Sequence, residues 1–115
     1  MRRTSAFLLL LPVLLLPACG GDDGPEIQLY TSIYPEVYRA ITPKLEARFP
    51  GVRFVWYQKG SEQVAVRLSA ELEAGSTDCD LLLTSDPFYY AELRDAGHLL
   101  PHETEATATV PAGLK

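Results

Sequence analysis

The chain has 115 residues, of which 47% are hydrophobic, with 10 Lys+Arg against 15 Asp+Glu and a formal net charge of -5. That length and apolar content suit one domain with its own core. The acidic balance argues against binding to a nucleic-acid backbone, which needs clustered cations. Arg2 and Arg3 open the chain, and Ala6 to Ala18 then form an apolar run broken by Pro12 and Pro17. A bilayer span needs roughly 20 apolar residues, so this run is too short to cross one and has the layout of an export signal. The signal is assigned to residues 1–18, followed by Cys19 and a Gly/Asp/Pro tether to residue 26 that has little apolar area to bury. Removing residues 1–19 takes away Arg2 and Arg3 and no acid, which leaves 8 cations against 15 acids and a net charge of -7.

Ile27 to Tyr30 alternates apolar and polar residues and reads as a first strand that ends at Thr31-Ser32. A helix follows, with Val37, Ile41, Leu45 and Phe49 on one stripe. Pro43 lies inside it, so a kink or short break is expected near Ile41–Thr42. Val52 to Tyr57 is β-branched and aromatic and reads as a second strand. Ser61 is expected to cap the next helix, whose buried stripe is Val64, Leu68 and Leu72 and whose end falls near Gly75. The run of three leucines from Leu81, reaching Thr84, suits a third strand covered on both faces. Asp86 at N-cap and Pro87 at the first helical position start a third helix that ends at Gly97. Residues 103–115 lose periodicity and read as irregular.

The order β-α-β-α-β-α implies parallel pairing in an α/β sheet layered between helices. Each strand ends in hydroxyl side chains near a helix start: Thr31-Ser32, Ser61 and Thr84-Ser85-Asp86. Ligands of open parallel sheets bind outside the carboxyl ends of the strands, where helix N-termini present free N–H groups. The candidate ligand-binding residues are therefore Thr31, Ser32, Tyr34, Ser61, Ser85 and Asp86, converging on one crevice suited to a small polar or anionic ligand. For Asp86 and Ser61 a plain capping role stands beside the ligand role. Trp56 reads as core. Cys79 reads as a small half-buried residue, with no neighbouring His or second Cys to activate it. His98 and His102 are separated by Pro101 and lack further ligands, so zinc is not expected; nor is calcium at Asp78 and Asp80. No cofactor and no catalytic motif is expected. Three strands also leave a sheet edge without a neighbour, which invites self-association.

"LPAC" around Cys19 resembles a bacterial lipobox, in which the cysteine is diacylated and becomes the new N-terminus; an ordinary signal peptide with Cys19 incidental is the other reading. "LYTSIYPE", "KLEARFPGVRFVWYQKGSE", "STDCDLLLTSDP" and "AELRDAGHLLPH" in this order resemble the extracellular solute-binding proteins of bacterial ABC importers, in the branch of ferric-iron, thiamine, polyamine and phosphonate-type binders. The resemblance covers Ile27 to His102. It implies a two-lobe periplasmic-binding-protein-like clamp, of which residues 27–102 would be a partial first lobe and the chain an N-terminal fragment. It also implies a membrane-anchored lipoprotein in the periplasm or at the cell surface, capturing a solute for ABC permease subunits and doing no chemistry on it. Where iron binders of the family supply a histidine and a glutamate, this chain has Tyr34 and Ser85, so the resemblance fits a ferric-iron site poorly. A sensory or regulatory lobe, or a truncated remnant without transport, is the alternative.

Overall fold

The structure is a computed structural model and describes residues 24–111. The expected leader (residues 1–18), the expected lipidation at Cys19, the first part of the expected tether and residues 112–115 lie outside the described residues. Within them the order is β1 (Glu26–Thr31), α1 (Pro35–Arg48), β2 (Arg53–Gln58), α2 (Ser61–Glu73), β3 (Leu81–Leu83), α3 (Pro87–Asp95) and α4 (Glu105–Ala108). The strands form one parallel three-stranded sheet in the order β2-β1-β3. It is a small α/β fold, with a parallel sheet flanked by helices. Among the described residues no helix is long and apolar enough to cross a membrane.

Strand alternation sorts the sheet into two faces. The register places Tyr30 beside Tyr57 on one side and Leu82 on the other, so these three share a face. α2 and α3 cover that face, where Tyr30, Val64, Leu68, Tyr89 and Leu93 make the core. On the opposite face α1 stacks Tyr38 on Trp56, with ring centroids 5.2 Å apart. Trp56 is half-buried, and its indole N–H has no hydrogen-bond partner.

Several expectations change. Glu26 belongs to β1 and not to the tether; its carboxylate pairs with Arg53 across the sheet. α1 runs without a break through Pro43. Thr42 Oγ1 donates to Tyr38 O at 2.7 Å, so a side chain bonds the backbone in the turn where proline provides no N–H. None of α1's residues is fully buried, and Val37 and Phe49 of the expected stripe are exposed. One helix on a half-covered face cannot bury a whole stripe. β3 is not covered on both faces either: Leu81 is 50% exposed. The stretch expected to be irregular contains α4, a single turn fixed by a reciprocal capping box between Thr104 and Thr107.

The expected stops hold: Gly75 and Gly97 have φ of 90° and 75° just past α2 and α3, a conformation that costs other residues strain. α2 is locked to the sheet by a polar knot. Tyr30 Oη donates to Glu71 Oε1 at 2.8 Å, Arg67 Nε donates to the same oxygen at 2.7 Å, and Thr77 Oγ1 donates to Oε2 at 2.7 Å. The Arg67 guanidinium lies 4.9 Å from the Tyr30 ring centroid and 4.2 Å from that of Tyr57, a cation–π contact with both rings, which are 5.0 Å apart. Burial raises the Glu71 pKa, but the bonds from Arg67, Thr77 and Tyr30 and the Arg67 charge outweigh it and hold the group at about 2. Burial, then the bond to Glu71, pushes the Tyr30 phenol up to about 12.

The signs define a stability window. Glu71 is depressed, so its contribution is present above its ordinary value of 4.5 and is lost as pH falls toward 2. Tyr30 is raised, so its contribution is present below its ordinary value of 10.0 and is lost as pH rises through 12. Glu71→Gln is expected to cost about 1.5–3 kcal/mol at pH 7, the range for hydrogen bonds to a charged group. Denaturant titrations should show that cost shrinking as pH falls through the acid limb; a cost independent of pH would contradict the assignment.

Candidate functional site

The sheet order reverses direction at β1: the chain steps from β1 to β2 on one side, then returns to place β3 on the other. The connections leaving β1 and β3 diverge there, at the place where ligands of open parallel sheets bind. Ser32 lies directly after β1, and Thr84 and Ser85 lie directly after β3.

The hydroxyls meet. Ser32 Oγ donates to Thr84 Oγ1 at 3.4 Å and accepts from Ser85 N at 3.3 Å. Ser85 Oγ lies 3.2 Å from Ser61 Oγ, the first residue of α2. Ser32, Ser61, Thr84 and Ser85 thus form one continuous polar run across the switch point, with Ser85 exposed and the other three half-buried. These are weak neutral bonds among side chains that reorient easily. A polar solute could replace them without leaving a buried group unsatisfied.

The other candidates separate into distinct roles. Thr31 is fully buried, donating from Oγ1 to Leu83 O at 2.9 Å and accepting from Ile33 N at 3.1 Å. It ties β1 to β3 and is not open to a ligand, because strand alternation turns it inward when Ser32 turns to the tip. Tyr34 is 73% exposed at the start of α1 and makes no side-chain cap there. It flanks the switch point in sequence but is not hydrogen-bonded into the hydroxyl run. Asp86 is the N-cap of α3, accepting from Phe88 N at 3.0 Å and Tyr89 N at 3.2 Å through one oxygen. Its second oxygen makes no such bond, and the residue is half-buried beside Ser85.

Ser61 does not cap α2. Gly60 holds the N-cap position, and no side chain caps that helix. The unsatisfied N–H groups of its first turn therefore lie next to Ser61. Lys59, passed over in the sequence, precedes them; its backbone N–H donates to Thr31 O at 3.1 Å and fixes the approach of the loop to β1. Against this positive end stand Glu62 in the first turn and the acids Glu73, Asp86 and Glu92, which line an adjoining groove of about 720 Å³ between α2 and α3. A carboxylate acting through water adds at most about 1 kcal/mol of repulsion at 4 Å, and less beyond, while a helix N-terminus contributes a comparable attraction at contact. The helix start and these acids thus oppose one another toward an anion, while the hydroxyls favour hydrogen-bonding groups.

Cys79 is half-buried, and burial pushes its thiol up to about 11, so it is not an activated nucleophile. Among the described residues no three His, Cys, Asp or Glu side chains cluster as metal ligands. Tyr89 is core: its hydroxyl donates to Ala65 O at 3.1 Å and lies 3.0 Å from Ser69 Oγ. Neither family models nor curated proteins match this chain.

Capping separates the two residues given double readings in the sequence. Asp86→Ala is expected to lower stability by about 1 kcal/mol through loss of the cap. Ser61→Ala is expected to stay within about 0.5 kcal/mol of wild type. Thermal melts of the two variants decide it; an Ser61→Ala loss equal to that of Asp86→Ala would contradict the placement of the α2 cap at Gly60.

Proposed function

We propose that the chain is a solute-binding protein that captures a small polar or anionic solute at the β1/β3 switch point for an ABC importer. The observation that carries this reading is the convergence of Ser32, Ser61, Thr84 and Ser85 at the carboxyl ends of a parallel sheet, beside an uncapped helix start. Reversible capture fits these groups. They offer donors and acceptors of adjustable direction, and their hydroxyls bond one another and not a base. The described fold takes the part of a first lobe, with the solute held against its tips and a second lobe closing over it. The apolar leader and Cys19 support anchorage of the mature protein to a membrane surface through a diacylglyceryl group, facing the periplasm or the cell exterior.

Binding is tested by titration calorimetry of the chain against phosphate, sulfate, a phosphonate, a carboxylate and a neutral polyol. Ser32→Ala and Ser85→Ala are each expected to weaken the best-bound solute about 2- to 10-fold, the worth of one neutral hydrogen bond, with little change in melting temperature. Unchanged affinity in both variants would contradict the site. Anchorage is tested separately: labelled fatty acid is expected on the wild-type protein and lost in Cys19→Ala. A wild-type protein that never takes up label would remove the lipoprotein part of the proposal.

A further inference from the structure

β3 has β1 on one side and, among the described residues, no strand on the other. A strand edge in this position offers its N–H and C=O groups to any strand that meets it. The edge of β3 is nevertheless occupied. Leu83 O faces β1, where it accepts from Ser32 N at 2.9 Å and Thr31 Oγ1 at 2.9 Å. Backbone groups of successive strand residues point to opposite sides, so Leu82 O and Thr84 N–H face outward. Tyr90 takes both: its hydroxyl donates to Leu82 O at 2.9 Å and accepts from Thr84 N at 3.1 Å. In a parallel ladder, a single partner residue opposite Leu83 would make the same two contacts with its own N–H and C=O. One phenol oxygen stands in for that residue. The ring reaches back to the strand because helix side chains tilt toward the helix N-terminus, and Tyr90 lies in the first turn of α3.

We infer that Tyr90 closes the edge of β3 against strand pairing, and that the partner it excludes is a second copy of this chain pairing through its own β3. The surroundings of the edge favour such a contact. Leu81 is half-exposed, and Leu99 and Leu100 are exposed beside it along an apolar groove of about 480 Å³. Two copies paired antiparallel about Leu82 would set Leu81 against Leu83 and Asp80 against Thr84, a short ladder that stops before the opposed acids Asp78 and Asp86. The Tyr90 hydroxyl has to leave both of its partners before that ladder can form. This inference does not depend on the proposed solute.

Sedimentation velocity of the full chain, in a mild detergent that disperses the apolar leader, compares wild type, Tyr90→Phe, Leu81→Lys and Tyr90→Phe/Leu81→Lys. Tyr90→Phe keeps the ring and removes both edge bonds. It is expected to dimerise with a dissociation constant about tenfold or more below that of wild type, as two backbone groups are released for pairing. Adding Leu81→Lys, a charge on the edge, is expected to restore the monomer. A Tyr90→Phe protein that associates no more than wild type overturns the inference, as does a dimer that survives Leu81→Lys. So does a wild-type dimer that Leu81→Lys alone dissolves, because Tyr90 would then not be closing the edge. If Tyr90→Phe loses its folded circular dichroism, amide exchange on the wild type decides: Thr84 N–H is expected to be protected like the β1 amides, and exchange at the rate of an unstructured peptide overturns the inference.

Discussion

The end of β1 fixes the geometry of everything around it. Three consecutive side chains there do three different tasks. Tyr30 points to the α2 face and bonds Glu71; Thr31 points the other way and bonds Leu83 O; Ser32 leaves the sheet and meets Thr84. Tyr30 and Thr31 are both fully buried, so neither can turn without disturbing the core. A slip of one residue in the register of β1 would turn the phenol to the α1 face and carry the hydroxyl of Ser32 into the sheet. The position of the polar tip thus depends on the same contacts that hold the fold.

That dependence has a consequence for pH. The Tyr30–Glu71–Arg67 knot keeps its charges across the span from the ordinary carboxylate value of 4.5 to the ordinary phenol value of 10.0. Seryl and threonyl hydroxyls do not titrate in that span. The scaffold and the hydroxyl run therefore stay constant through neutral pH, and a change in binding there would report chiefly on ionisation of the solute. The acidic groove between α2 and α3 acts in the same range by screening-sensitive repulsion, which added salt would weaken.

The elements with strong local signals were legible in the sequence. Asp86-Pro87 specifies a helix start through a cap and a fixed φ, and both operate within a few residues. The strand runs and the glycine stops at Gly75 and Gly97 are local in the same way. What depends on a partner far along the chain was less visible. Thr31 and Ser32 are adjacent hydroxyls, and only the pairing of β1 with β3 shows which one is consumed inside the sheet. Gly60 and Ser61 both suit a helix start, and the choice between them follows from how Lys59 docks on Thr31. The stripe of α1 promised burial, but a helix buries its stripe only where the sheet opposite is wide enough, and here it is not. Tyr90 left one usable signal, an aromatic hydroxyl in the first turn of a helix that directly follows a strand. Its role emerges only when the edge beside it is seen to have no strand among the described residues.

The most direct test of the central claim is a ¹H–¹⁵N nuclear magnetic resonance titration of the chain with inorganic phosphate and with a neutral polyol. If the switch point is the solute site, the largest saturable amide shifts from at least one of these probes fall on Ser32, Gly60, Ser61, Thr84 and Ser85. Saturable shifts concentrated elsewhere, such as the groove beside β3, or the absence of any saturable shift at these five amides with both probes, would contradict the account.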